Sequence, residues 1–189
     1  MPVGAVLPEH PSGMTIRGAT AADLDAIRSL LSGAFPPEER DEVVRLAIEL
    51  LLCDPGQGVI SLVAEEADSP IALLTLSPVT LPATPGQTGA ILSPLAVRPS
   101  HQRQGIGSGL VAEGLRRLAD RGSGLAFVYG DPRFYGRFGF RTELARGVIP
   151  PCGLRHPEGW QALRLGAAAA PPPMGDLRCL RPLCREELW

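Results

Sequence analysis

Residues Pro94-Leu95-Ala96-Val97-Arg98-Pro99-Ser100-His101-Gln102-Arg103-Gln104-Gly105-Ile106-Gly107-Ser108-Gly109-Leu110 join a short apolar run to a helical pattern through a turn rich in glycine. No other segment limits the possible folds as strongly. The first turn of a helix carries N–H groups without an internal acceptor, and the helix dipole adds about half a positive charge there. A glycine-rich turn that opens directly into an amphipathic helix is therefore an anion site made of backbone, with glycines that let a phosphate come close. The structural alternative is a turn whose glycines only allow close helix packing. Gly105-x-Gly107-x-Gly109 is not the dinucleotide pattern GxGxxG, and no acidic residue ends a following strand about 20 residues later, so a Rossmann reading fits poorly.

Composition narrows the chemistry. All 18 basic residues are arginine, and the 189-residue chain contains neither lysine nor asparagine. A Walker phosphate loop and a Schiff-base lysine are thereby excluded. The net charge of −2, without a basic cluster or interleaved aromatics, argues against nucleic-acid binding. The first 13 residues lack a signal-peptide pattern and no 18-residue apolar stretch occurs, so a cytoplasmic protein without a membrane partner is expected. Cys53, Cys152, Cys179 and Cys184 form no CxxC pair and are expected to be free thiols. Cys179 and Cys184 with His156 do not have the spacing of a metal site, so no metal is expected.

The periodicities predict the elements in order. Residues 1–13 read as a flexible lead-in before a strand at Thr15-Ile16-Arg17. Thr20 caps a first helix, with Asp23 three residues on, and a second helix spans about Glu38 to Leu52. Antiparallel strands follow at Val59–Glu65, Ile71–Val79 and Ala90–Val97, with a turn at Asp68-Ser69-Pro70. A helix runs from Gly105 to Arg121-Gly122, with Glu113/Arg117 and Arg116/Asp120 pairs on its outer face. Leu125–Tyr129 is a strand, Asp131 to Arg137 a short helix, Phe140-Arg141-Thr142 a turn into further strand, and Trp160–Leu165 another strand. Ala167–Pro173 reads as a low-complexity loop and the tail from Leu177 as irregular. The order implies an α/β fold of the α+β type, a mixed sheet with helices on both faces.

Gln102-x-x-Gly105-x-Gly107 after a Leu-Ala-Val strand resembles the acyl-CoA pyrophosphate loop of the GNAT superfamily of N-acetyltransferases. Gly130-Asp131-Pro132-Arg133-Phe134-Tyr135-Gly136-Arg137-Phe138-Gly139-Phe140 resembles that family's second landmark, FYxxxGF, in the form of a bacterial branch of YhbS-like predicted acetyltransferases. The resemblance covers residues 14–189 and implies one acetyltransferase domain, whose mostly antiparallel sheet is splayed between two parallel strands, here Ala90–Val97 and Leu125–Tyr129. Pro94 supports a bulge or opening there independently, because proline cannot donate to a sheet ladder.

By resemblance, acetyl-CoA lies in the split. The amides near Leu95, Ala96 and Val97 hold the pantetheine arm and thioester, and those of Arg103, Gln104, Gly105, Ile106, Gly107 and Ser108 hold the pyrophosphate. Arg98 and Arg103 can add charge near the phosphates. An amine attacks the thioester directly, and Tyr135 is the general acid for the leaving thiolate. Free thiols titrate at about 8.5 and phenols at about 10, so the transfer is roughly matched and moderate tuning of the pKa suffices. An aliphatic amine is deprotonated at neutral pH only at a penalty of about 4.6 kcal/mol, so a base is expected among Glu38, Glu39, Glu65, His101 and Asp131. Each also has an ordinary structural role available. Many family members carry an asparagine ahead of the tyrosine; Asp131-Pro132 stands in its place. The partners implied are acetyl-CoA and an amine acceptor, small molecule or protein, and a homodimer is compatible with the fold. A non-catalytic acyl-CoA binder or sensor is the alternative, and the acceptor and acyl-chain length stay open.

Overall fold

In the computed structural model, residues 14–84, 86–165 and 173–189 are described; the expected lead-in and all of the Ala167–Pro173 loop except Pro173 lie outside them. The chain runs β1 (Met14–Gly18), α1 (Leu24–Ala34), α2 (Pro37–Leu51), β2 (Ile60–Glu66), β3 (Ser69–Thr80), β4 (Thr88–Val97), α3 (Ile106–Asp120), β5 (Leu125–Tyr129), α4 (Pro132–Tyr135), α5 (Thr142–Ala145), β6 (Val148–Ile149), β7 (Trp160–Arg164), β8 (Gly175–Asp176) and β9 (Arg178–Cys179).

The main sheet has the order β1-β2-β3-β4-β5-β7, with β9 added to β3, and only β4 and β5 in it are parallel. Strand β3 is buried along almost its whole length because both of its faces are covered. On one face, Leu62, Leu74, Leu92 and Val128 pack under Ile106, Leu110 and Val111 of α3. On the other, Val63 and Leu73 meet Ile27 and Leu31 of α1, while Ile91 and Phe127 meet Leu46 and Leu50 of α2. Alternation along each strand separates these sets, so the expected arrangement of helices on both faces is observed.

Local signals explain most boundaries. Thr20 and Asp23 form the expected capping box, with the Thr20 N–H donating to Asp23 Oδ2 at 2.7 Å. Pro37 occupies the first turn of α2, where a missing N–H does no harm. The β2–β3 hairpin turns at Ala67 and Asp68, with φ of 48° and 59°, so the turn lies earlier than Asp68-Ser69-Pro70 and the last two residues belong to β3.

Two expectations change in the second half. Phe140-Arg141-Thr142 leads into helix α5 instead of a strand. Arg141 makes only a single bridge to Ala162, with N···O distances of 2.8 and 3.0 Å. The helix formers Glu143, Leu144 and Ala145 then turn the chain so that Ala145 is buried beside Trp160 and Ala162 of β7. The tail is irregular in secondary structure and yet docked. Leu177, Leu183 and Trp189 are buried against Leu46, Leu50 and Val79, β9 takes the side of β3 that β2 leaves at Ile60, and Arg185 reaches Glu49 of α2 at 2.7 Å.

Arg17 joins β1 to its surroundings through Asp23 and Glu65, at 2.8 and 2.6 Å. Its guanidinium holds the buried Asp23 carboxyl down at about 2, below the ordinary carboxylate value. A depressed folded-state value contributes stability above the unfolded pKa, lost as pH falls through the folded one. With solvent screening of the half-buried arginine, that contribution is on the order of 1–2 kcal/mol. Urea midpoints should therefore fall between about pH 4 and pH 2, and Asp23→Asn should remove part of that dependence. A variant with an unchanged acid profile would show that this pair does not contribute.

Candidate functional site

The turn between β4 and α3 is pinned by its glutamines. Gln102 Nε2 donates to the Val97 carbonyl at 3.1 Å and Gln104 Nε2 to the Ser100 carbonyl at 3.2 Å. Arg103 and Gly105 take positive φ values of 60° and 84°, and the helix begins at Ile106. The Gly109 N–H donates to the Gly105 carbonyl at 2.9 Å, so the amides of Ile106, Gly107 and Ser108 precede the first intrahelical bond. A turn that ends this way offers unpaired first-turn N–H groups and the positive end of the helix dipole, the elements of an anion cradle.

The two readings of the glycines apply to different positions. Gly105 has no heavy atom within 4 Å of where a Cβ would stand, so its conformation and open approach require glycine. A Cβ at Gly107 would stand 3.3 Å from Val97 Cγ2, and at Gly114 only 2.9 Å from Leu74 Cδ2, so these glycines let α3 lie close to the sheet. Arg103 is exposed beside the cradle. Arg98 instead donates to the Pro70 carbonyl at 3.1 Å and ties the end of β4 to β3.

Strands β4 and β5 pair only from Gly89↔Leu125 to Leu92↔Val128. At that point Ser93 and Pro94 together oppose the single residue Thr75 of β3, a bulge that bends β4 where the pairing stops. Beyond it, among the described residues, β4 stays bound to β3 alone, through Leu95↔Leu74, Ala96↔Leu73 and Val97↔Ala72. The Arg98 N–H donates to Ile71 O at 2.8 Å, which sets the alternation of the antiparallel ladder. Ala96 accordingly points its backbone groups at β3, while Leu95 and Val97 point theirs away from it, toward β5. The gap thus presents polar backbone at two of the three expected residues, in line with the amides at the start of α3.

Tyr135 sits on α4, which Asp131 caps by accepting from the Arg133 N–H at 2.8 Å. Its ring meets Phe134 edge-on with centroids 4.9 Å apart and lies 5.8 Å from Phe140. It also lies against Gly130, where a Cβ would stand 2.6 Å from Tyr135 Cε2. Burial raises the phenol well above its ordinary value. The hydroxyl therefore stays protonated throughout the neutral range, and the near match of phenol and thiol acidities expected from unperturbed values does not hold in the free protein.

The base candidates are dispersed. Glu38 and Glu39 are exposed in the first turn of α2. Glu65 is held by Arg17 and Thr15 on the β1–β2 pair, His101 Nε2 faces Glu66 at 3.3 Å, and Asp131 caps α4. Among the described residues no cluster of three or more His, Cys, Asp or Glu could hold a metal ion, and no helix is long and apolar enough to cross a membrane. All four cysteines are free. Segment 156–159, which the sequence analysis did not connect with the Tyr135 motif, comes to lie next to it. The β5–β7 pairing brings it beside Tyr129 and Gly130, and no local signal could have found it.

The profile of the Acetyltransferase (GNAT) domain matches residues 15–142. A curated relative, the uncharacterized N-acetyltransferase YjhQ of Escherichia coli K12, is 33% identical over 96 residues, which cover 49% of this chain and 52% of the relative. The chain thus spans about half the length of that relative. The crystal structure of Escherichia coli YhbS, a GNAT family N-acetyltransferase in complex with CoA, superposes with a TM-score of 0.76 at 27% identity, covering 94% of this chain and 96% of the other. A GNAT family acetyltransferase from Brucella melitensis in complex with acetyl-CoA gives a TM-score of 0.66 at 28% identity, covering 92% and 99%.

Proposed function

The chain belongs to the GNAT acetyltransferase family, and on that premise we propose that residues 14–189 work as one domain that transfers an acetyl group from acetyl-CoA to an amine in the cytoplasm. The observation that carries this reading is the continuity of the opened β4 edge with the free amides of α3. That surface suits a ligand with amide groups at one end and a pyrophosphate at the other. Leu95 and Val97 would hold the amide-bearing arm. The amides from Arg103 to Ser108 would hold the phosphates, Gly105 giving them room.

Acetyl-CoA supplies an acyl group on a thioester whose sulfur departs as a thiolate. Tyr135 would donate to that sulfur, its hydroxyl being kept protonated by burial until the thiolate leaves. A second reading, a non-catalytic acyl-CoA binder, is favoured by one observation: Glu65, His101 and Asp131 are all engaged elsewhere.

CoA at about 100 Kd should stabilise the protein by about 2.7 kcal/mol, a rise in Tm of about 5–11 °C for a chain of this size. An unchanged Tm in millimolar acetyl-CoA would overturn both readings. Release of CoA thiol with any amine would exclude the binder.

A further inference from the structure

At the carboxyl end of β5 lies a cavity of about 390 Å³, walled by Tyr129 to Pro132 on one side and by His156, Glu158 and Gly159 on the other. No step described above uses it. Its size suits a small ligand. The only fully charged side chains on its wall, Asp131 and Glu158, are acidic, so its field favours a cation. Tyr129 adds an aromatic ring, which attracts ammonium groups. That ring is held from behind by Trp189, stacked at 6.0 Å, and its hydroxyl accepts from the His156 N–H at 2.8 Å. His156 Nδ1 is 3.6 Å from Glu158 Oε1. Gly130 is a wall of this cavity and also the residue against which the Tyr135 ring packs. The cavity and the proposed acid are therefore separated by the thickness of one glycine.

We propose that this cavity receives the acceptor as a small primary amine in its ammonium form, with Asp131 and Glu158 holding the charge beside Tyr129 and with His156 as the base. The inference rests on the acetyltransferase reading and names its substrate class. The imidazole offers a ring nitrogen that can accept a proton, and Glu158, 3.6 Å from Nδ1, is near enough to stabilise it once charged. The ammonium gives one proton to His156, and its nitrogen lone pair forms the C–N bond to the acyl carbon. As the C–S bond breaks, its electron pair leaves on sulfur, which takes a proton from Tyr135. The amide nitrogen loses its second excess proton, which restores Tyr135 through solvent. The overall change is ammonium plus thioester to amide, thiol and one proton.

The test uses the whole protein, a panel of small amines and two measurements, thiol release and calorimetric binding of amine to the CoA-loaded protein. His156 and Glu158 are exposed, so substitution there should leave folding intact. Glu158→Gln should weaken amine binding and raise the amine KM about tenfold, near 1.4 kcal/mol, with the KM for acetyl-CoA unchanged. His156→Gln should lower kcat about 100-fold while amine binding persists. Unchanged amine affinity and KM in Glu158→Gln would overturn the proposal. So would a wild-type protein that is stabilised by CoA yet neither binds nor acetylates any cationic amine. Absence of CoA stabilisation would instead overturn the acetyltransferase reading itself.

Discussion

Replacing Tyr135 with phenylalanine should lower kcat by about 10²- to 10⁴-fold and leave the KM for acetyl-CoA within about a factor of two. The ring is kept, so its contacts with Phe134, Phe140 and Gly130 survive and the Tm should hardly move. Only the hydroxyl is lost. That range corresponds to about 2.7–5.4 kcal/mol of transition-state stabilisation, the worth of a positioned proton donor. Burial makes water a poor substitute, because the ring that holds the hydroxyl also excludes solvent around it. Single-turnover and steady-state rates across a pH series check the prediction. A phenylalanine variant as fast as wild type at every pH would remove Tyr135 from the chemistry.

The largest expected effect on stability is at the tail. Trp189→Ala should destabilise the protein by about 3–5 kcal/mol, the range for truncating a buried large aromatic, and lower the Tm by about 6–20 °C. Trp189 is 3% exposed and donates from Nε1 to the Leu183 carbonyl at 2.9 Å. Its ring stacks on Tyr129 and meets Trp160 edge-on at 5.8 Å, while Trp160 in turn stacks on Phe127 at 5.5 Å. Truncation would open a void that touches β5, β7 and the tail together, and Tyr129 would lose the support behind it. Urea and thermal unfolding report the change. A loss below about 1 kcal/mol would mean that the tail docks without holding the sheet.

The sequence was most legible where a local rule acts alone. The capping box at Thr20, the apolar stripe of α3 and the glycine turn each depend on residues a few positions apart, and each forms where its pattern places it. The bulge at Pro94 was legible for the same reason, since a missing donor is a property of one residue. Long-range placement was not. Leu177, Leu183 and Trp189 carry no helical or strand period; their burial depends on a groove beside α2 and the end of β3 that exists only after the sheet has formed. The parallel pairing of β4 with β5 was visible only by resemblance, and the separate orientations of Leu95, Ala96 and Val97 needed the ladder to β3. Likewise, the weakened acidity of the Tyr135 phenol comes from burial that neither FYxxxGF nor hydropathy expresses.

Pro94 also answers a hazard created by the split itself. A strand with a bare edge invites another chain to add to the sheet, and proteins limit this with prolines, bulges and short lengths. Among the described residues the unpaired edge runs only from Ser93 to Val97, it begins with a bulge, and one of its five residues has no N–H. The Val97 carbonyl is already taken by Gln102. A foreign β-strand would find too few evenly spaced partners to register, whereas a ligand with a small number of amides needs no more than two. The proline at the mouth of the split therefore also shortens the stretch of edge to which another strand could add.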